Sequence, residues 1–147
     1  MELRELYQQL ILDHSRSPRH YGALESADTV QEGFNPLCGD KITLYINRDN
    51  NQVNEIQFEG CGCAISMAST SLMTESTCGK TTVEIEALFH LFIKMVTCDK
   101  AVDEQKLGKL AVLKGVCAYP ARVKCATLAW HTLMAALGGD RNPVSTE

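Results

Sequence analysis

The sequence predicts an α+β fold, and three observations carry the prediction. Between residues 29 and 58, three segments alternate polar and apolar residues with a period of two, as half-buried strands do. Before and after that run, apolar residues recur every three or four positions, which is the spacing of amphipathic helices. Strands gathered in one run with helices on either side of it define the α+β class.

Length and charge narrow the class further. A chain of 147 residues with 45% hydrophobic and 22% charged content fits one globular domain over 1–147 that buries its own core. A formal net charge of −4 argues against a nucleic-acid partner, because phosphate-binding surfaces carry a basic excess. The start Met1-Glu2-Leu3-Arg4-Glu5 lacks the features of a signal peptide, and no stretch approaches the roughly 20 apolar residues that span a bilayer. The expectation is a cytoplasmic protein without membrane contact. Seven cysteines in such a setting read as thiols, some of them metal-bound, and not as a disulfide framework.

Taken in order, Leu3, Leu6, Tyr7, Leu10, Ile11 and His14 mark a helix over about 3–15 that Ser17-Pro18 ends. His14 continues its apolar face, where it is either a half-buried, hydrogen-bonded imidazole or a metal ligand. The former reading is favoured, since one histidine with no nearby partner rarely makes a site. Strands are expected over Thr29 to Phe34, Lys41 to Asn47 and Val53 to Phe58. The turn formers Asn47-Arg48-Asp49-Asn50-Asn51 pair the second and third as an antiparallel hairpin. That hairpin brings Cys38 and Asp40, which lead into it, close to Cys63, which follows it.

Ile65, Ala68, Leu72 and Ser76 then mark a helix that begins at Cys63 and stops at Cys78-Gly79-Lys80. Thr81 and Glu84 read as a capping box for a helix whose stripe is Ile85, Leu88, Phe89, Phe92 and Val96, with His90 off the stripe and solvated. Residues 97–115 are lysine-rich and irregular, apart from a short helical stretch around Leu107, Leu110 and Leu113. Pro120 opens a last helix with Val123, Ala126, Trp130, Leu133 and Leu137 on its stripe, closed by Gly138-Gly139. The tail over 140–147 has no periodicity and is expected to be disordered.

The chemistry lies in Asn35-Pro36-Leu37-Cys38-Gly39-Asp40, in Gly60-Cys61-Gly62-Cys63 and in Arg122-Val123-Lys124-Cys125. Each cysteine stands at a turn or helix start beside glycines or cations, where a thiol can be exposed and partly ionised. Arg122 and Lys124 are expected to lower the pKa of Cys125 by favouring its thiolate. Three sulfurs and one carboxylate suit a borderline-soft cation such as zinc, and three sulfurs could equally hold iron–sulfur. The plainer alternative makes Cys38, Cys63 and Cys125 small buried hydrophobes. That reading is expected for most of Cys61, Cys78, Cys98 and Cys117, with Cys61 the one that could serve as an auxiliary thiol.

Together with Leu6-Tyr7, Asp13-His14 and Pro18-Arg19, these motifs and the run Phe58-Glu59-Gly60 through Ser69 resemble the SufU/IscU family, the NifU N-terminal-like proteins of iron–sulfur cluster assembly. The resemblance covers about residues 3–137. It implies a small antiparallel three-stranded sheet packed by helices, and a cysteine desulfurase of the SufS-like kind as sulfur donor, with downstream cluster assembly proteins as recipients. The long interval between Cys63 and Cys125, and Lys124 where the IscU branch has a histidine, resemble the SufU branch. By that resemblance Cys38, Asp40, Cys63 and Cys125 hold zinc, Arg122 gives electrostatic support, and Cys38 is freed by a partner histidine to accept sulfur. Cys38 also lies on a glycine-flanked loop, whereas Cys63 and Cys125 are tied to helices, so Cys38 leaves a metal at the lowest structural cost. The alternative implied is a scaffold on which Cys38, Cys63 and Cys125 ligate a [2Fe–2S] cluster. Cys61 departs from the family pattern.

Overall fold

The computed structural model describes residues 3–146. Helix α1 (Leu3–Arg16) leads into strands β1 (Thr29–Asn35), β2 (Asp40–Asp49) and β3 (Gln52–Cys61). Helices α2 (Ala64–Thr77) and α3 (Thr82–Val96) follow, then two 3-10 segments, Glu104–Lys106 and Gly108–Ala118. Helix α4 (Pro120–Leu137) and strand β4 (Val144–Ser145) complete the order. Among the described residues no helix is long and apolar enough to cross a membrane.

β1, β2 and β3 form an antiparallel meander, with Asn35 opposite Asp40 at one end and Lys41 opposite Cys61 beside it. A register shift at Asn47/Arg48 moves the buried face of β3 from Ile56 to Val53 instead of to Asn54, as a bulge does. The sheet has a fourth strand, in the order β3-β2-β1-β4, because β4 pairs parallel to β1 through Gly33↔Val144 and Phe34↔Ser145. The tail expected to be disordered is therefore paired through Thr146, whose N–H donates to the Phe34 carbonyl at 3.1 Å; Glu147 lies outside the described residues. A two-residue strand is too short to show a period of two in sequence.

Ile42, Leu44, Ile46, Val53, Ile56 and Phe58 project from the sheet into a core shared with Leu72, Met73, Leu128, Trp130 and Leu133. α4 packs on β1 and β2, and α2 on β3 and α1. Phe92 of α3 stacks on Trp130 at 5.4 Å between ring centroids. The capping box forms as expected: the Thr81 hydroxyl accepts the Glu84 N–H, and the Glu84 carboxylate accepts the Thr81 N–H. Gly79, at φ +82°, turns the chain out of α2 in a conformation that glycine adopts at little cost.

His14 is fully buried, with its Nδ1 2.8 Å from the Ser71 hydroxyl of α2, so it ties α1 to α2 and has no role at the cysteines. His90 is exposed beside Glu86. Leu107, Leu110, Leu113 and Val116 of the lysine-rich region pack into the core. One cysteine expectation is corrected here. Cys98 and Cys117 are joined as a disulfide, with Cα atoms 5.2 Å apart, because the segment between them returns to its own start. Sequence spacing does not report that return.

Candidate metal centre

The alternation that fills the core also builds the site. In β2, Asp40 has the same parity as Ile42, Leu44 and Ile46, so its carboxylate faces inward, where it is 2% exposed. Asn35 has the inward parity of Gln31 and Gly33 in β1 and lies opposite Asp40. Residues 36–39 connect the two, with Gly39 at φ +72° to close the turn, and the half-buried Cys38 rides on this loop.

β3 then hands the chain to α2 across the Asp40 carboxylate. A Cβ on Gly62 would lie 2.5 Å from Asp40 Oδ1, so only glycine lets the backbone pass this closely. The Cys63 N–H donates to Asp40 Oδ1 at 2.9 Å. Cys63 is the N-cap of α2, and its sulfur accepts the Ser66 N–H at 3.4 Å. Thiolate or thiol, that sulfur faces the positive end of the helix.

α4 supplies the last sulfur. Pro120 stands in its first turn, and Cys125, one turn further in, is 1% exposed against the ends of β1 and β2. Ligand atoms of Cys38, Asp40 and Cys125 all lie within 4.8 Å of one another, a group of donors that one metal ion could share. Cys63 stands beside them through its N–H to Asp40 and an interaction of its thiol with Cys125. Its sulfur is not within that distance of all three. No histidine joins the group among the described residues.

The electrostatics of Cys125 reverse the sequence expectation. Burial first, and then hydrogen bonding with Asp40, Cys38 and Cys63, pushes its thiol far above the usual range. The Arg122 guanidinium is exposed and hydrogen-bonds the Cys125 sulfur, and the nearby Cys63, Cys125 and Cys38 raise its own pKa further. Its attraction does not outweigh burial among three other acids. Lys124 is exposed and lines a separate groove with Thr127 and His131. A cluster of four acidic groups with one exposed cation is the setting in which a divalent cation, by its own charge, holds thiolates deprotonated. The donor set thus fits a metal of zinc type.

Two features at the site were not read as site residues from the sequence. Asn35 donates from Nδ2 to Asp40 Oδ2 at 3.1 Å and to Cys125 Sγ at 3.3 Å. Ser66 caps the Cys63 sulfur through its backbone. The inward parity of Asn35 was legible; its pairing with a cysteine 90 residues away was not. Cys61, by contrast, is exposed and outside the donor group.

Comparison with known proteins identifies the family. Residues 6–126 match the family described as the NifU-like N terminal domain. The chain is 40% identical over 141 residues to an iron-sulfur cluster assembly scaffold protein IscU of Streptococcus pyogenes, covering 96% of this chain and 88% of that protein. It is 41% identical over 131 residues to the zinc-dependent sulfurtransferase SufU of Bacillus subtilis, covering 89% and 88%. A crystal structure described as a putative iron-sulfur cluster assembly scaffold protein for the SUF system, from Fervidobacterium islandicum, superposes with a TM-score of 0.84 at 39% identity, covering 92% of this chain and 99% of that one. With the motifs, the fold and the donor cluster in agreement, the chain belongs to the NifU-like N-terminal domain family.

Proposed function

We propose that this protein acts in iron–sulfur cluster assembly as a zinc-bound sulfur acceptor, taking persulfide sulfur from a cysteine desulfurase. The observation that carries the reading is the convergence of Cys38, Asp40 and Cys125 within 4.8 Å, on elements that also carry Cys63 to its edge. Zinc bound by these four residues supplies the charge that keeps their thiols ionised at neutral pH. Cys63 stands at the edge of that set, with its sulfur on the Ser66 N–H at 3.4 Å.

The residues then divide the work. Asp40, Cys63 and Cys125 are held by β2, α2 and α4, whereas Cys38 rides on a turn beside the exposed Leu37. The Cys38 thiolate attacks the terminal sulfur of the desulfurase persulfide. A new S–S bond forms at Cys38, the old one breaks, and the desulfurase cysteine leaves as a thiolate with the electron pair. Arg122, at the solvent side of the sulfurs, steadies the negative charge that passes between the two proteins.

The second reading, a scaffold for a [2Fe–2S] cluster as cargo, is favoured by the Streptococcus pyogenes relative, which is named a scaffold protein. Purification without oxygen followed by metal and sulfide analysis separates the two. One zinc per chain and no visible charge-transfer absorption are expected; stoichiometric iron with acid-labile sulfide would establish the scaffold instead.

A further inference from the structure

Three cysteines crowd one site, yet only one of them is to accept sulfur, and the hydrogen bonds around the sulfurs are not distributed equally. The Cys125 sulfur accepts from the Asn35 amide at 3.3 Å. The Cys63 sulfur accepts from the Ser66 N–H at 3.4 Å. Among the described residues no N–H reaches the Cys38 sulfur. An N–H donor draws electron density from a thiolate and holds it in one direction, so it lowers both the reactivity and the freedom of that sulfur.

We infer that Asn35 is a positioning residue that selects the accepting sulfur: its amide pins Cys125 and Asp40 and leaves Cys38 as the reactive thiolate. This deepens the sulfur-acceptor reading and rests on it. Asn35 is 1% exposed and stands opposite Asp40 in the strand register. Its one amide nitrogen has two hydrogens, and they meet two acidic partners, Asp40 Oδ2 at 3.1 Å and Cys125 Sγ. Its Oδ1 is buried without a partner.

The orphaned oxygen explains the orientation. Turning the amide over would set Oδ1 against the Asp40 carboxylate, where two acceptors repel, and would take the N–H away from the Cys125 sulfur. Leaving one neutral carbonyl unpaired costs less than that repulsion. The side chain is therefore held for its donors. Its backbone has a separate task, since the Asn35 carbonyl accepts the Cys38 N–H at 3.3 Å and shapes the turn, and a side-chain substitution leaves that contact in place.

The test compares the full-length zinc-loaded chain with Asn35→Ala and, as a smaller perturbation that retains one hydroxyl donor, Asn35→Ser. Circular dichroism establishes that each is folded; if Asn35→Ala does not fold, Asn35→Ser decides. Zinc affinity by chelator competition should fall about 10- to 100-fold, the usual effect of removing a partner of a metal ligand. In the cobalt-substituted proteins the thiolate-to-cobalt absorption should shift, because the Cys125 sulfur has lost its hydrogen bond. After reaction with desulfurase and cysteine, mass spectrometry should find the added sulfur on Cys38 in the parent chain and on both Cys38 and Cys125 in the variant. A folded variant with zinc affinity within twofold of the parent, unmoved cobalt bands and sulfur on Cys38 alone would overturn the assignment of Asn35. A parent chain that takes no sulfur on any cysteine would instead overturn the sulfur-acceptor reading, while the affinity and cobalt spectra still judge Asn35 as a metal-site partner.

Discussion

Replacing Asp40 by Ala removes two things at once, and the structure lets their effects be separated. Asp40 is 2% exposed and accepts the Cys63 N–H at 2.9 Å and the Asn35 Nδ2 N–H at 3.1 Å. Without the carboxylate the Cys63 N–H has no acceptor, and Asn35 retains only Cys125. An unmet buried donor costs about 1–3 kcal/mol, so the two together cost about 2–6 kcal/mol. For a chain of this length each kcal/mol lowers Tm by about 2–4 °C, which gives a fall of roughly 4–24 °C in metal-free protein. Cooperative unfolding should persist, because the core rests on Ile42, Leu44, Phe58, Trp130 and their neighbours and not on the metal site. The second effect concerns zinc, whose binding to the native state alone raises Tm. Wild-type Tm should fall when a chelator is added, and the variant's Tm should not. Asp40→Asn keeps an oxygen for the Cys63 N–H, so it should recover part of the metal-free stability without recovering chelator sensitivity. Differential scanning calorimetry with and without chelator, beside zinc analysis, reads both effects. Full zinc occupancy and full chelator sensitivity in Asp40→Ala would show that Asp40 is not a ligand, and an unchanged metal-free Tm would show that its hydrogen bonds contribute little.

Other outcomes follow from separate parts of the molecule. Gly62→Ala puts a methyl 2.5 Å from Asp40 Oδ1, so zinc affinity should drop about tenfold or more; chelator competition with unchanged affinity would mean that the carboxylate moves aside freely. Cys38→Ala should abolish persulfide formation while the other ligands keep some zinc, and Cys61→Ala should leave transfer largely intact; sulfur mapped to Cys61 or Cys125 in wild type would refute this. The Cys98–Cys117 disulfide closes a segment with a sequence separation of 19, worth about 3 kcal/mol by loop entropy. Thiol titration of denatured, unreduced protein should count five thiols, and the Cys98→Ser/Cys117→Ser double variant should melt lower; seven thiols would deny the bond. Burial holds the pKa of His14 below its ordinary 6.5 in the folded state, so the unfolded chain takes up the proton first. Stability from the neutral ring is complete above about pH 6.5 and is lost as pH falls below it. The difference between wild-type and His14→Gln denaturation curves should show that loss, and parallel curves from pH 7 to pH 5 would contradict it.

Much of this protein was legible before folding, because local physics decided it. The period of two in β2 selects the inward face that holds both Ile42 and Asp40, so the strand pattern already directs the carboxylate into the molecule. The turn formers after Asn47 define the hairpin, and Thr81 with Glu84 define the start of α3, since both depend on residues within a few positions of each other. Cysteine and aspartate at glycine turns named the donor types. What tertiary structure decided is everything that depends on separation along the chain. The packing of α4 on β1 buries Cys125, and burial overrides the neighbouring Arg122 that suggested an ionised thiol. Tertiary structure also sets Asn35 against Cys125, places Val144–Ser145 on the sheet edge and brings Cys98 to Cys117. None of these has a periodic or nearest-neighbour signal, because each is a contact between segments whose meeting is set by the whole core.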